Sequence, residues 1–345
     1  MKKVNVLSAL CLGWSMIGFA QMQIDSTKVE QLDEVVVSDS RFKLKRENSG
    51  KTVIRISQQE IERNQGRTVS YLINSKSGIE IHGSRSVEGQ NLGTFVRGGN
   101  NRQVLVLIDG VQINDPSLVS NELDLRLLDL NTIASIEIVK GAASTLYGNA
   151  AASAVINITT KKSSKDVISG SFLSVIGTNQ TQNDLNYNGS SFANNVSING
   201  TLNRFTYLAS FGNRYVDGLS AAKSDNAEKD PFSRYNTNLK LGYEFSKSFE
   251  ISAYASLDKF KTDIDGFPAP TYTFNDTNDQ YVSQQKRVGV SPKYSYNNGS
   301  FQVNAAFTKI DRETIADFSA VNEAESVVFD AFNKYVFDES FYTIV

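Results

Sequence analysis

The sequence predicts two folds in series: a small α+β domain, then the antiparallel strands of a transmembrane β-barrel. Three observations carry this. Val104-Leu105-Val106-Leu107-Ile108 is a continuous apolar run closed by Asp109-Gly110, the pattern of a strand buried on both faces. After Asp166 the pattern becomes period two: Phe205, Tyr207, Ala209 and Phe211 alternate with Thr206, Leu208, Ser210 and Gly212, and Phe301, Val303, Ala305 and Phe307 with Gln302, Asn304, Ala306 and Thr308. Finally, tight connections (Asn203-Arg204, Ser246-Lys247-Ser248, Asn297-Asn298-Gly299) alternate with long ones (179–193, 217–235, 261–283). A soluble sandwich shows the same period; the short–long alternation is what favours a barrel.

Composition narrows the function. The 345 residues are 40% hydrophobic with a net charge of −2, which points neither to disorder nor to nucleic-acid binding. Cys11 is the single cysteine and His82 the single histidine. A disulfide framework is therefore excluded, and a His/Cys zinc site or Ser-His-Asp site disfavoured. No spacing of carboxylates, nucleophile and base, or metal ligands suggests an enzyme.

Residues 1–20 read as a signal peptide: Lys2-Lys3, an apolar core from Val6 to Phe19, and small residues around Ala20. The mature chain is expected to start at Gln21. Residues 21–51 form a polar segment and linker. Within it, Asp33-Glu34-Val35-Val36-Val37 is a short β-prone run, which either joins the next domain's sheet or pairs with the edge of another protein.

Residues 52–162 form the α+β domain. Thr52–Ile56 reads as a strand, and Ser57 with Glu60 as a capping box opening a helix. A second helix starts at Thr68 with Val69, Leu72 and Ile73 on one face. Gly78–Ile81, Ile133–Val139 and Ala154–Thr159 are expected to join a mixed sheet centred on Val104–Ile108. Residues 82–93, with several glycines and no periodicity, and 112–121, with Asn114-Asp115-Pro116, read as loops. Arg97 is expected to be buried against Glu137. Residues 141–148 (GAASTLYG) lack the Lys-Ser/Thr of a phosphate loop and read as a close-packed turn. Residues 163–345 carry seven barrel strands, a bulge at Pro292 and less regular β character from Ser326 onward.

These residues resemble TonB-dependent outer-membrane receptors. DEVVVS (33–38) resembles the TonB box, while FVRGGNNRQVLVLIDGVQIND (95–115) and IEIVKGAASTLYGNAAASAVINITT (136–160) resemble the diagnostic plug segments. Gly141, Tyr147, Gly148 and Asn157 fit the family's pattern; Ala151-Ala152 depart from it where many members have Gly. The resemblance implies an α+β plug domain followed by an incomplete antiparallel transmembrane β-barrel, located in the outer membrane. Complete barrels of this architecture have about 22 strands, so the chain reads as an N-terminal part.

RYVDG (214–218), EKDPF (228–232) and TDIDGFPAP…FNDTNDQYVSQ (262–284) resemble the calcium-bearing external loops of cobalamin receptors. The resemblance implies TonB-driven import of a bulky nutrient, with cobalamin the leading substrate. A ferric siderophore receptor is the alternative, and a soluble periplasmic β-domain binding protein the alternative of another class. Asp33, Glu34, Val35, Val36 and Val37 would meet a TonB-type energising protein of the inner membrane. His82, Ser84, Arg85, Gln90, Asn91, Asn114, Asp115 and Ser117 would meet the substrate. Asp217, Glu228, Asp230, Asp265 and Asp276 would hold Ca2+, which accepts several oxygen ligands in irregular geometry; no cofactor is required for chemistry. Outer-membrane lipid surrounds the barrel.

Overall fold

The computed structural model describes residues 35–36, 41, 44–45, 50–84, 88–148, 150–178, 189–222, 228–337 and 341–345. The leader, Asp33, Glu34, Val37 and Arg85 lie outside the described residues. Val35–Val36 (β1) pairs antiparallel with Leu44–Lys45 (β2), so the β-prone run folds back on its own linker.

The α+β domain is built from Thr52–Ile56 (β3), Ile79–His82 (β4), Gly93–Val96 (β5), Val104–Ile108 (β6), Val111–Ile113 (β7), Ile133–Lys140 (β8) and Ala154–Thr160 (β9). Five of these form one sheet in the order β3-β8-β9-β6-β7, in which only β6 and β9 run parallel. The centre is therefore β9, not Val104–Ile108. The Asp109-Gly110 turn folds β7 back along one side of β6 and places β6 next to the edge. Ile79–His82 is also outside this sheet; it pairs with β5 in a separate hairpin. Burial of β6 on both faces is observed: Val104 and Val106 enter one apolar cluster, Leu105 and Leu107 another.

Gln58–Arg63 (α1) starts at Ser57, whose hydroxyl accepts from the Glu60 N–H at 3.3 Å. Glu60 does not complete the capping box; its carboxylate binds Lys76 instead. Val69–Asn74 (α2) is capped by Thr68 and buries Val69, Leu72 and Ile73 as expected. Ser144–Tyr147 (α3) occupies the small-residue turn. Arg97 is exposed in a left-handed turn position (φ 49°), whereas Glu137 is buried in β8. The expected Arg97–Glu137 pair does not form, because the turn carries Arg97 out of the core.

The remaining strands are Ser169–Gly177 (β10), Ser191–Leu202 (β11), Phe205–Val216 (β12), Phe232–Ser246 (β13), Phe249–Gly266 (β14), Asn275–Tyr296 (β15), Gly299–Ile315 (β16), Ala320–Val336 (β17) and Tyr342–Ile344 (β18). They form one antiparallel sheet in chain order. Nine strands replace the expected seven, because β17 and β18 occupy the stretch read as irregular. Pro292 causes no bulge; register with β14 and β16 is kept, with a local gap in the β15–β16 ladder. Register shifts fall instead at Glu244/Ser246 and Ile264/Gly266.

The sheet's polarity is inverted relative to a soluble protein. Phe172, Val196, Phe211, Leu239, Leu257, Val288, Phe307 and Phe329 are exposed, while Asn195, Arg214, Asn236, Asp258, Gln285 and Arg312 are buried. Apolar-out and polar-in is stable where the outer solvent is lipid. A soluble sandwich would bury the first set, so this face excludes it. The buried polar face meets the α+β domain. Gly89 shows how close the approach is: a Cβ there would lie 1.9 Å from Thr262 Oγ1 of β14.

Candidate functional site

The plug–barrel seam comes first, because it fixes the loops above it. Asp124 begins a 3-10 turn over Leu125–Leu127 and is bound by Arg126 (Nη2 to Oδ2, 2.8 Å) and by Arg312 of β16 (3.2 Å). Arg312 also binds Asp115, the Tyr281 hydroxyl and Ser117 Oγ, the last at 2.6 Å. Asp115 is fully buried. Asp115 and Ser117, expected to face the substrate, are therefore brackets that hold the 112–121 loop to the barrel. Burial alone would raise the Asp124 carboxyl, but the adjacent guanidinium groups of Arg126 and then Arg312 hold it at about 2. Further along, Arg234 of β13 donates to the carbonyls of Arg126 and Leu128 (3.2 and 2.6 Å), and Asn236 to that of Leu127 (2.6 Å).

Above the seam lies a cleft of about 270 Å3 bounded by Gly89, Gln90 and Asn91 of the plug and by Asp230, Asp263, Asp265, Phe274 and Tyr281 of the barrel. Two of the expected substrate residues, Gln90 and Asn91, thus share a cleft with two of the expected calcium residues. His82, Ser84 and Gln90 line an adjoining open groove. Asn114 is half-buried, with its Oδ1 lacking a hydrogen-bond partner.

The acidic residues do not sit in two loose loops. Strand β14 runs to Gly266 and β15 starts at Asn275, so Asp263, Asp265, Asp276 and Asp279 lie on a hairpin that extends the barrel wall. Asp217 is engaged by Lys229 at 2.6 Å, which holds its carboxyl low through that hydrogen bond. Gly218 (φ +70°) closes the 217–231 connection: a Cβ there would lie 1.8 Å from the Asp230 carbonyl oxygen. Asp230 itself is buried. Its carboxyl is pushed up to about 6 by burial, then by Asp265, Asp276 and Asp263, against one opposing hydrogen bond from the Ala221 N–H. Glu228 is raised as well, by desolvation and by Asp276, Asp265 and Asp263. Asp230 Oδ1 and Asp263 Oδ1 are buried without a hydrogen-bond partner. Asp265 Oδ2 accepts from the Ala222 N–H (2.6 Å) and Ser220 Oγ (3.1 Å). Among the described residues, no three acidic or His/Cys side chains already stand in a metal-ligating arrangement.

At the opposite end, sequence reading passed over Arg41, placing it in a polar linker. Its Nη1 donates to Asp330 Oδ2 of β17 at 2.7 Å and its Nη2 to the Leu146 carbonyl. The guanidinium lies 4.7 Å from the Tyr147 ring centroid and 5.1 Å from that of Phe332. Arg41, three residues after the TonB-box-like segment, thus ties the linker to both plug and barrel.

An α+β domain seated on the polar face of an apolar-skinned β-wall agrees with the class that the sequence resembles, the TonB-dependent outer-membrane receptors. Residues 45–155 match the TonB-dependent Receptor Plug Domain. Within that class the chain is similar to Vitamin B12 transporter BtuB of Vibrio vulnificus, 29% identical over 273 residues. That match takes in 79% of this chain and 40% of the relative. It is 32% identical to BtuB of Vibrio cholerae over 160 residues, 46% of this chain and 25% of that protein. The chain thus spans well under half the length of these curated relatives.

Among solved structures, the siderophore receptor PirA of Acinetobacter baumannii superposes with a TM-score of 0.68 at 17% identity, over 85% of this chain and 46% of that one. The ferric enterobactin receptor PfeA of Pseudomonas aeruginosa, in complex with enterobactin, gives 0.64 at 16% identity, over 82% and 46%. At such identities these two speak for the fold alone. The relatives are named as transporters and receptors.

Proposed function

We propose that the intact protein imports cobalamin across the outer membrane, driven by a TonB-type protein that grips Asp33–Val37 as an added strand. The observation that carries the substrate is the match, at 29–32% identity, to two proteins named as vitamin B12 transporters. The substrate enters the outer cleft beside Gln90 and Asn91, with His82 and Ser84 along the adjoining groove. A siderophore importer is the second reading, since siderophore receptors such as PirA and PfeA share this fold.

Calcium belongs to this proposal. The residues present fit it: crowded carboxylates, two of them with a buried oxygen lacking a donor, and no His or Cys, are an oxygen-only donor set for a hard cation. Glu228, Asp230, Asp263, Asp265 and Asp276 would hold the ion, with Asp217 left to Lys229. The ion would supply positive charge that orders the hairpins before the substrate arrives, sparing the substrate that ordering cost.

Affinity of the intact receptor for cobalamin and for a panel of ferric siderophores tests the substrate: tight cobalamin binding is expected, and siderophore binding with cobalamin inert overturns it. Val36→Pro tests the energising segment. Proline lacks the N–H a strand partner needs, so binding should persist while uptake is lost. Unchanged uptake would reject the assignment of residues 33–37.

A further inference from the structure

A cavity of about 720 Å3 lies between the plug and strands β10 to β13, lined by Arg67, Ser84, Glu88, Arg126, Arg214 and Arg234 among others. Four guanidinium groups face it, and they are not equally committed. Arg214 is held by both Glu88 oxygens (2.9 and 2.5 Å) and the Gly66 carbonyl. Arg126 is held by both Asp124 oxygens and the Gly89 carbonyl.

Arg234 differs. It is buried, its two short contacts go to neutral carbonyls, and the Asp129 carboxylate stands 3.6 Å away. Asp129 also accepts from Asn131 and Asn195. Arg234 Nε is buried with no acceptor, and so is Ser84 Oγ without a partner. Arg67 is exposed and lies over the Tyr71 ring, 4.8 Å from its centroid. Buried donors lacking acceptors are costly, and here they line a space large enough for a ligand.

We propose that this cavity is an oxyanion site, taking the phosphate or carboxylate group of a small molecule between Arg234, Arg67 and Ser84. A guanidinium fork suits such groups, and a buried hydroxyl adds a donor. Lipid headgroups are ruled out as the source, because the cavity lies on the inward, polar face of the wall. Arg126 lines both this cavity and the outer cleft, so an anionic substituent on a ligand held outside has a receiving site one layer deeper. The site holds for a cobalamin importer and a siderophore importer alike.

The test uses the intact receptor without substrate: calorimetric titration with inorganic phosphate at low ionic strength, chloride held constant. Saturable one-site binding is expected. Arg234→Gln should weaken it about tenfold or more, as loss of a charge-assisted contact does. Since Arg234 also braces two carbonyls, Arg67→Gln and Ser84→Ala provide variants without that bracing, and each should weaken phosphate binding at an unchanged melting temperature. No saturable phosphate binding by the folded receptor, or undiminished affinity in both Arg67→Gln and Ser84→Ala, overturns the site. Because no cobalamin is present, this outcome is separable from failure of the substrate assignment.

Discussion

Carboxylates meet opposite fates at two levels of this molecule. In the plug–barrel seam, Asp115 and Asp124 each face arginine, and Asp124 is held at about 2. In the outer hairpins, Asp230 faces Asp263, Asp265 and Asp276 and is pushed up to about 6. Burial pushes both carboxyls up; at Asp124 the neighbouring guanidinium groups overcome it, whereas at Asp230 the surrounding carboxylates add to it. The seam is electrostatically complete and serves as a fastening. The outer cluster sets carboxylate against carboxylate, which is why calcium belongs to the proposal made for it.

The sharpest way to break the comparison is to remove the seam's cation. Arg312→Ala strands buried Asp115, leaves Asp124 to Arg126 alone, and should cost about 3–5 kcal/mol, read as a fall in plug stability by denaturant unfolding of the intact receptor. A change below about 1 kcal/mol would mean the seam is not a fastening. Next in size is the cation at the outer cluster. Millimolar calcium should tighten substrate binding, and Asp230→Ala with Asp265→Ala should abolish that gain. Calcium-independent affinity in the unmutated receptor would return these carboxylates to plain solvated charges.

pH should move the two regions in opposite senses. Asp230 has a folded value above its usual 3.8, so its contribution is present in acid and lost as pH rises through about 6. Asp124 has a folded value below 3.8, so its contribution is present above about 4 and lost as pH falls toward about 2. Spin labels at the exposed positions Leu219 and Val119 would report each region from pH 3 to 7 in calcium-free buffer. Parallel changes at both labels would contradict the contrast. The smallest expected effect is at Arg41. Its ion pair with Asp330 is partly solvated, so Arg41→Ala should cost about 1 kcal/mol or less, seen as earlier proteolysis of the linker without loss of substrate affinity.

How much of this was legible in the sequence follows from interaction range. Strand β6, both helices and the barrel's period were legible because each is written within a dozen neighbouring residues. The seam was not: Arg312 reaches Asp124 and Asp115 across 188 and 197 positions, and no local pattern marks such a partner. The hairpin of β14 and β15 was misread as a loop for another reason. Beyond the lipid both faces of a strand are wet, so Asp263 and Asp265 no longer alternate with a wholly apolar set and the period fades while the ladder continues. Arg41 was passed over because one arginine in a polar linker looks solvated until Asp330 and Phe332 are placed beside it.

The order of the plug sheet also sets a timetable for synthesis. Val53 pairs with Val139, and Leu105 with Val155, so neither the edge strand β3 nor the apolar β6 has its main partner when it first emerges. Contacts this distant along the chain form slowly, since loop-closure entropy must be met before they repay it. Until Thr160 has been delivered, VLVLI has only the short β7 beside it and its other edge stays open, the kind of segment that aggregates. Making Leu105 or Leu107 polar should lower that hazard, at the expense of the folded plug.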